Sequence, residues 1–233
     1  MRFRVLSLPL ICAALLSSCS DKPEEQAEGF WPWFESRKTE LAKLFSYESG
    51  VAAQDDPALQ QKIQDTVKEV GDKLREEHPE FYPYFGYAKG ANELIITVHG
   101  QTEYFDAVDA FVESAPKIQG WTFIALKPPS PFTPTTEIRT GNVQLKAGDW
   151  LYSKSRGIDG TFDFVIYIPN QVSDDPKGYG RLFVQLITDA LGERFASKAM
   201  GGIQVLPLTD DAPKDLLPFT GMYEDVSKAA GGQ

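Results

Sequence analysis

Sulfur and imidazole are scarce in this chain: of 233 residues two are cysteine, Cys12 and Cys19, and two are histidine, His78 and His99. Zinc and iron–sulfur centres draw on about four such ligands. Both cysteines lie within the first 19 residues, far from either histidine, so no metal or other cofactor is expected and the body of the chain has no disulfide to close. Positive charge is short too, with 23 Lys and Arg against 33 Asp and Glu, a net of −10. Phosphate recognition begins with a Lys/Arg excess, so nucleic acid is not an expected partner. No apolar run reaches the ~20 residues of a spanning helix. Neither the P-loop pattern nor G-x-G-x-x-G occurs, so Gly178-Tyr179-Gly180 and Gly201-Gly202 are not phosphate cradles. What is present, 42% hydrophobic and 12% aromatic residues, suffices for a packed core.

Met1-Arg2-Phe3-Arg4 is a short basic start, and an apolar stretch follows from Val5 to Leu16. Too short to span, it predicts a secretory signal peptide over residues 1–18. Leu16-Ser17-Ser18-Cys19 resembles the bacterial lipoprotein box. That resemblance implies cleavage before Cys19 and acylation of its thiol, with the lipid bilayer as partner; each buried acyl CH₂ contributes roughly 0.8 kcal/mol. Ser20, directly after the cysteine, favours the outer membrane under the enteric sorting rule, with the chain facing the periplasm. Loss of Arg2 and Arg4 would leave 21 basic against 33 acidic residues, a net of −12. Residues 19–29 are polar with Pro and Gly, a flexible tether of roughly 15–20 Å. Residues 30–233 are then expected to form one α+β domain: a helical part over 30–88, a sheet core over 90–208 and a C-terminal extension over 209–233.

Within that domain, Pro32 opens a helix predicted from about Trp33 to Glu48, ended by Gly50. Asp56-Pro57 caps a second, where Leu59, Ile63, Thr66 or Val67, Val70 and Leu74 recur at helical spacing as far as His78-Pro79. After an aromatic segment, Phe81 to Tyr87, the period changes to two: Leu94, Ile96 and Val98 point one way, Ile95, Thr97 and His99 the other. Thr102 to Ala115 reads as a helix and Trp121 to Leu126 as a strand. The Pro- and Thr-rich stretch 130–147 admits one irregular edge strand. Trp150-Leu151-Tyr152 and Phe162 to Ile168, around Gly157-Ile158-Asp159-Gly160, form a hairpin. A helix after Asp174-Asp175-Pro176, a strand over Ile203–Leu208 and a weak helix over 213–228 complete the series. The order β-α-β, β-β-α-β predicts a ferredoxin-like sandwich on a mainly antiparallel sheet, with two added N-terminal helices.

Glu93-Leu94-Ile95-Ile96-Thr97-Val98-His99-Gly100, then Ala115-Pro116, then Gly120-Trp121-Thr122-Phe123-Ile124-Ala125-Leu126-Lys127-Pro128-Pro129, and later Leu191-Gly192-Glu193, resemble the pattern of a family of uncharacterised bacterial proteins. The aromatic opening Phe30-Trp31-Pro32-Trp33-Phe34 is similar as well, so the resemblance covers residues 30–208. It implies no activity. Many members of the family are cytoplasmic, and the lipoprotein signal here departs from them.

Nucleophilic catalysis needs Ser, Cys or Lys beside a base that is usually His. His78 falls at a helix end, where a cation meets the last carbonyls. His99 ends a strand before a glycine and is the sharper catalytic candidate, although no Gly-x-Ser-x-Gly elbow accompanies it. Asp163, on a strand between apolar neighbours, and Glu193, after Leu191-Gly192, are the carboxylates best placed to join it. The plainer expectations are that His99 is structural, that Asp163 faces solvent and that Glu193 caps or pairs locally. No calcium loop is recognisable. Trp31, Trp33, Tyr82 and Tyr84 belong to an aromatic set bracketing the N-terminal helices, either a core seam or a groove for a partner.

A lipid anchor without a catalytic or cofactor constellation predicts a non-enzymatic binding module of the cell envelope with an envelope protein as partner. The alternatives are an envelope hydrolase using His99 with a carboxylate, an immunity-like inhibitor of a periplasmic toxin, and a purely structural lipoprotein.

Overall fold

The computed structural model describes residues 29–140, 143–169 and 176–231. The expected signal peptide, Cys19 and residues 20–28 of the tether lie outside the described residues, as do Asp174 and Asp175.

The N-terminal half runs through α1 (Phe30–Leu44), α2 (Tyr47–Ala52), α3 (Pro57–Arg75), β1 (Tyr82–Ala88), β2 (Ala91–Thr97), α4 (Phe105–Glu113) and β3 (Trp121–Ala125). α3 begins as its sequence dictates. Asp56 accepts the amide protons of Ala58 and Leu59 at 3.0 Å each, and Thr66, Val70 and Leu74 form a buried stripe. α1 has no side-chain cap of its own; the Phe30 N–H donates to Glu77, just beyond α3, which ties the two helix ends together. The first helix breaks at Phe45, earlier than predicted. Ser46 accepts the Ser49 N–H at 3.2 Å and starts α2, so Gly50 lies inside a helix instead of ending one.

The aromatic segment after α3 is a strand. Pro83 and Gly86 interrupt its pattern, but Lys89-Gly90, with φ of +52° and +81°, closes a two-residue turn that folds β1 antiparallel onto β2. β2 pairs in parallel with β3, and α4 makes the crossover.

The C-terminal half contains the hairpin β4 (Glu137–Thr140) and β5 (Val143–Lys146), then β6 (Leu151–Arg156), β7 (Phe162–Pro169), α5 (Pro176–Leu191), α6 (Glu193–Ala199), β8 (Met200–Leu208), β9 (Leu217–Pro218) and α7 (Met222–Ala229). Its main sheet has the order β8-β7-β6-β9, with β7 and β8 parallel. β4 and β5 form a sheet of their own, where one edge strand was expected.

The predicted α+β character is present, but the strands do not build one ferredoxin-like sheet. A hairpin, a helical crossover and a parallel strand occur twice, as β1-β2-α4-β3 and as β6-β7-α5-α6-β8, each in its own sheet. The two N-terminal helices are not decorations: Phe30, Phe34, Leu41, Val70 and Leu74 bury themselves with Leu94, Ile96 and Val108 in a first core. A second core gathers Trp150, Tyr152, Phe164 and Ile166 with Phe183, Ile187, Phe219, Met222 and Val226. The three-stranded and the four-stranded sheet each pack against helices of their own half, around separate cores.

α7 docks through polar contacts as well. The Tyr152 hydroxyl donates to Asp225 Oδ2 at 2.5 Å, and Lys154 pairs with the same carboxylate. Burial, then the bond to Asp225, pushes the Tyr152 phenol well above its ordinary value, so the O–H stays a donor. Burial pulls the Asp225 carboxyl up, but hydrogen bonds from Lys154 and Tyr152 outweigh it and hold the group below the usual range. A depressed folded-state pKa stabilises above the unfolded value, about 3.9, and that contribution disappears as pH falls through the lower folded value. Urea unfolding should therefore show a loss for Asp225→Asn of about 1 kcal/mol or less at pH 7, the pair being partly solvent-screened. The difference from the parent chain should close in strong acid.

Candidate functional site

Glu193, the first residue of α6, is fully buried although it carries a carboxylate. Its partners come from the other half of the chain. Oε1 accepts the amide protons of Val98 at 3.1 Å and Gly100 at 2.7 Å; Oε2 accepts the Thr97 hydroxyl at 2.7 Å and the Lys127 amide at 3.2 Å. An ionised carboxylate offers about four lone-pair positions, and all of them are taken. The Glu193 N–H donates back to the Lys127 carbonyl at 2.8 Å. The carboxylate therefore clamps the end of β2 and the exit from β3 onto the start of α6.

The backbone around this carboxylate is bent to reach it. His99 and Gly100 take φ of +53° and +82°, and the Gln101 N–H closes the turn on the Val98 carbonyl at 3.2 Å. Left-handed residues at both central positions let the Val98 and Gly100 amides reach one carboxylate oxygen, while the His99 N–H between them donates to the Thr97 hydroxyl at 3.2 Å. Leu126, buried and bulky, also has a positive φ of +61°, and its N–H donates to the Ile96 carbonyl at 2.9 Å. Such conformations are disfavoured for side chains of this kind and persist only where the surroundings fix them. On the facing side, Gly192 has φ +79° and lies so close to Pro129 that a Cβ there would stand 2.7 Å from the proline nitrogen. Lys127 pairs with Asp189 of α5 at 2.9 Å and lies 4.7 Å from the centre of the Tyr84 ring. Arg194 reaches Asp109 of α4 with two contacts of 2.8 Å.

Three stretches of the pattern quoted above thus meet at one point: Thr97-Val98-His99-Gly100, Lys127-Pro128-Pro129 and Leu191-Gly192-Glu193. The expectation that Glu193 caps or pairs locally is corrected, since its partners are 66 to 96 residues away in sequence. The positive φ at Gly192 and the close approach to Pro129 set α6 against the β2 turn, and the shortest route for the carboxylate is across the junction.

His99 is exposed, with its ring 4.5 Å from that of Tyr82; among the described residues no hydrogen bond joins its imidazole to a carboxylate. His78 stacks on Phe81 at 4.3 Å. Asp163 faces solvent and accepts the Gly202 N–H at 2.6 Å, opposite a bulge where Gly201 and Gly202 occupy the space facing one β7 residue. A Cβ at Gly201 would lie 2.7 Å from the Asp163 carboxylate, which is why small residues occur there. Trp31 and Trp33 are half-buried in the first core, and the Trp31 indole donates to the Phe111 carbonyl at 3.2 Å. Tyr82 is half-buried beneath Arg75, whereas Tyr84 is 51% exposed. The structure brings Tyr82 together with His99, and Tyr84 with Lys127, but neither pair with Trp31 or Trp33.

Sequence reasoning put Phe85 and Tyr87 in the aromatic set read as a core seam or a partner groove, but it did not join Phe45 and Tyr47 to them, and it overlooked a cationic cavity. Phe45, Tyr47, Phe85 and Tyr87 line an open groove of about 320 Å³, with Phe45 stacked on Phe85 at 3.7 Å. Arg156, Arg194 and Lys198 line a cavity of about 370 Å³ beside α6 and α7. Neither cavity includes His99, and no spacing rule draws three cations from β6 and α6 together. Among the described residues, no group of three or more His, Cys, Asp or Glu side chains is placed to hold a metal ion, and no helix is long and apolar enough to cross a membrane. Comparison with protein-family models, with curated proteins and with solved structures gives no match for this chain.

Proposed function

We propose that this chain is a non-enzymatic binding module tethered to the bacterial cell envelope, anchored through acylated Cys19 on the periplasmic face of the outer membrane. The tether rests on the basic start, the apolar stretch and Leu16-Ser17-Ser18-Cys19. One observation supports the non-enzymatic half: the buried carboxylate nearest His99 in the fold has every lone-pair position occupied by a protein donor. A general base must have a lone pair free for the proton that it takes. Glu193 instead works as a fastening, and among the described residues no carboxylate is hydrogen-bonded to the exposed imidazole of His99.

Two substitutions test the two halves separately. Cys19→Ser is expected to move the chain from the membrane pellet to the soluble or unprocessed fraction and to abolish incorporation of radiolabelled palmitate; unchanged pelleting and labelling would remove the tether. His99→Ala is expected to keep the fold and any envelope phenotype of the parent. A well-folded His99→Ala chain that loses the phenotype would restore the hydrolase reading.

A further inference from the structure

The cavity beside α6 has a composition unlike the rest of the chain. Arg156 at the end of β6, with Arg194 and Lys198 one turn apart on α6, line about 370 Å³, and no Asp or Glu is part of the wall. This occurs in a sequence where acidic residues outnumber basic ones 33 to 23. Arg194 is engaged by Asp109; Arg156 and Lys198 have no ion pair among the described residues. Asp159 accepts two bonds from Thr161, Asp163 holds Gly202, Asp225 holds Tyr152 and Lys154, and Glu224 lines a separate cavity with Lys228. Arg156 and Lys198, the two cations of this wall without a partner carboxylate among the described residues, line one concavity, and a bound anion would relieve their mutual repulsion.

The remaining wall defines the rest of the ligand. Phe195 and Tyr223 are half-buried in the wall and supply its apolar surface, whereas Phe162 is 3% exposed, with the Arg156 guanidinium 5.6 Å from its ring centre. Apolar and aromatic walls with a few polar groups at fixed positions are the usual makeup of a small-molecule site, and this volume is near the lower end of the range for such sites. We propose that the cavity binds a small organic anion, a carboxylate, sulfonate or phosphate monoester on a flat apolar body, with the charge between Arg156 and Lys198 and the body against Phe195 and Tyr223. The site goes beyond the proposed tether, and it stands or falls independently of acylation at Cys19.

Calorimetric titration of the chain as isolated from cells, in nonionic detergent with detergent alone as the blank, tests this with three probes: naphthalene-1-sulfonate, 1-naphthol and inorganic sulfate. Naphthalene-1-sulfonate is expected to bind with a dissociation constant of about 1 mM or below, and the two partial probes about tenfold more weakly. Arg156 and Lys198 are exposed, so the double variant Arg156→Gln, Lys198→Gln should fold and should bind naphthalene-1-sulfonate about tenfold more weakly. Equal affinity in that variant, no binding of the sulfonate, or equal binding of sulfate or 1-naphthol to the parent would each overturn the proposal.

Discussion

Glu193→Ala is expected to lower the free energy of unfolding by about 4 kcal/mol, since it strands two buried and two part-buried donors, and a buried donor costs roughly 1–3 kcal/mol when unpaired. The amides of Val98, Gly100 and Lys127 and the Thr97 hydroxyl would all lose their acceptor. Water entering the vacated space recovers part of that, which is why the figure is below the sum. Set against the ~5–15 kcal/mol of an ordinary domain, such a loss leaves a chain close to unfolding at physiological temperature. Glu193→Gln sharpens the test. The amide has nearly the same shape but turns an NH₂ group towards donors, so it should also destabilise, though by less than alanine. Denaturant unfolding of both variants beside the parent gives the order directly; a Gln variant as stable as the parent would mean that the two contacts of the replaced oxygen contribute nothing.

Gly192→Ala is the second large effect, expected at about 3 kcal/mol from backbone strain and steric overlap together. An L side chain is disfavoured at φ +79°, and the new Cβ would sit 2.7 Å from both the nitrogen and Cδ of Pro129. Neither neighbour is the free end of a flexible side chain, so α6 must shift away from the β3 exit. Thermal unfolding should show a lower midpoint for Gly192→Ala than for a matched Gly180→Ala control, where a Cβ meets nothing within 4 Å. A Gly192→Ala midpoint equal to the control's would show that the close approach to Pro129 is not held in solution.

Local structure was legible in the sequence wherever one period dominated. The stripe Thr66, Val70, Leu74 gave α3, the alternation around Leu94, Ile96 and Val98 gave β2, and Gly157 to Gly160 gave the turn between β6 and β7. β1 was hidden because Pro83 and Gly86 sit in it, although Lys89-Gly90 in front of a clear strand was a usable hairpin signal. α6 was hidden by its shortness. The division into two sheets is a matter of nonlocal pairing, which depends on which apolar faces meet and not on any one segment's pattern.

The site divides in the same way. His99-Gly100, Lys127-Pro128-Pro129 and Leu191-Gly192-Glu193 each stood out, and each has an adequate local explanation as a turn, a strand end or a helix start. Their convergence on one carboxylate is a tertiary fact. The cationic cavity left still less trace: Arg194 and Lys198 share a helix face at a spacing of four, but Arg156 joins them only because β6 ends beside α6.

Amide hydrogen exchange, read residue by residue on the parent chain and on Glu193→Gln, tests the fastening role of Glu193 most directly. The Val98, Gly100 and Lys127 amides, which belong to a turn and a strand exit, are expected to exchange in the parent as slowly as core amides of β2 and to speed up together in the variant. Exchange of these three at the rate of exposed turn amides in the parent chain would contradict the account.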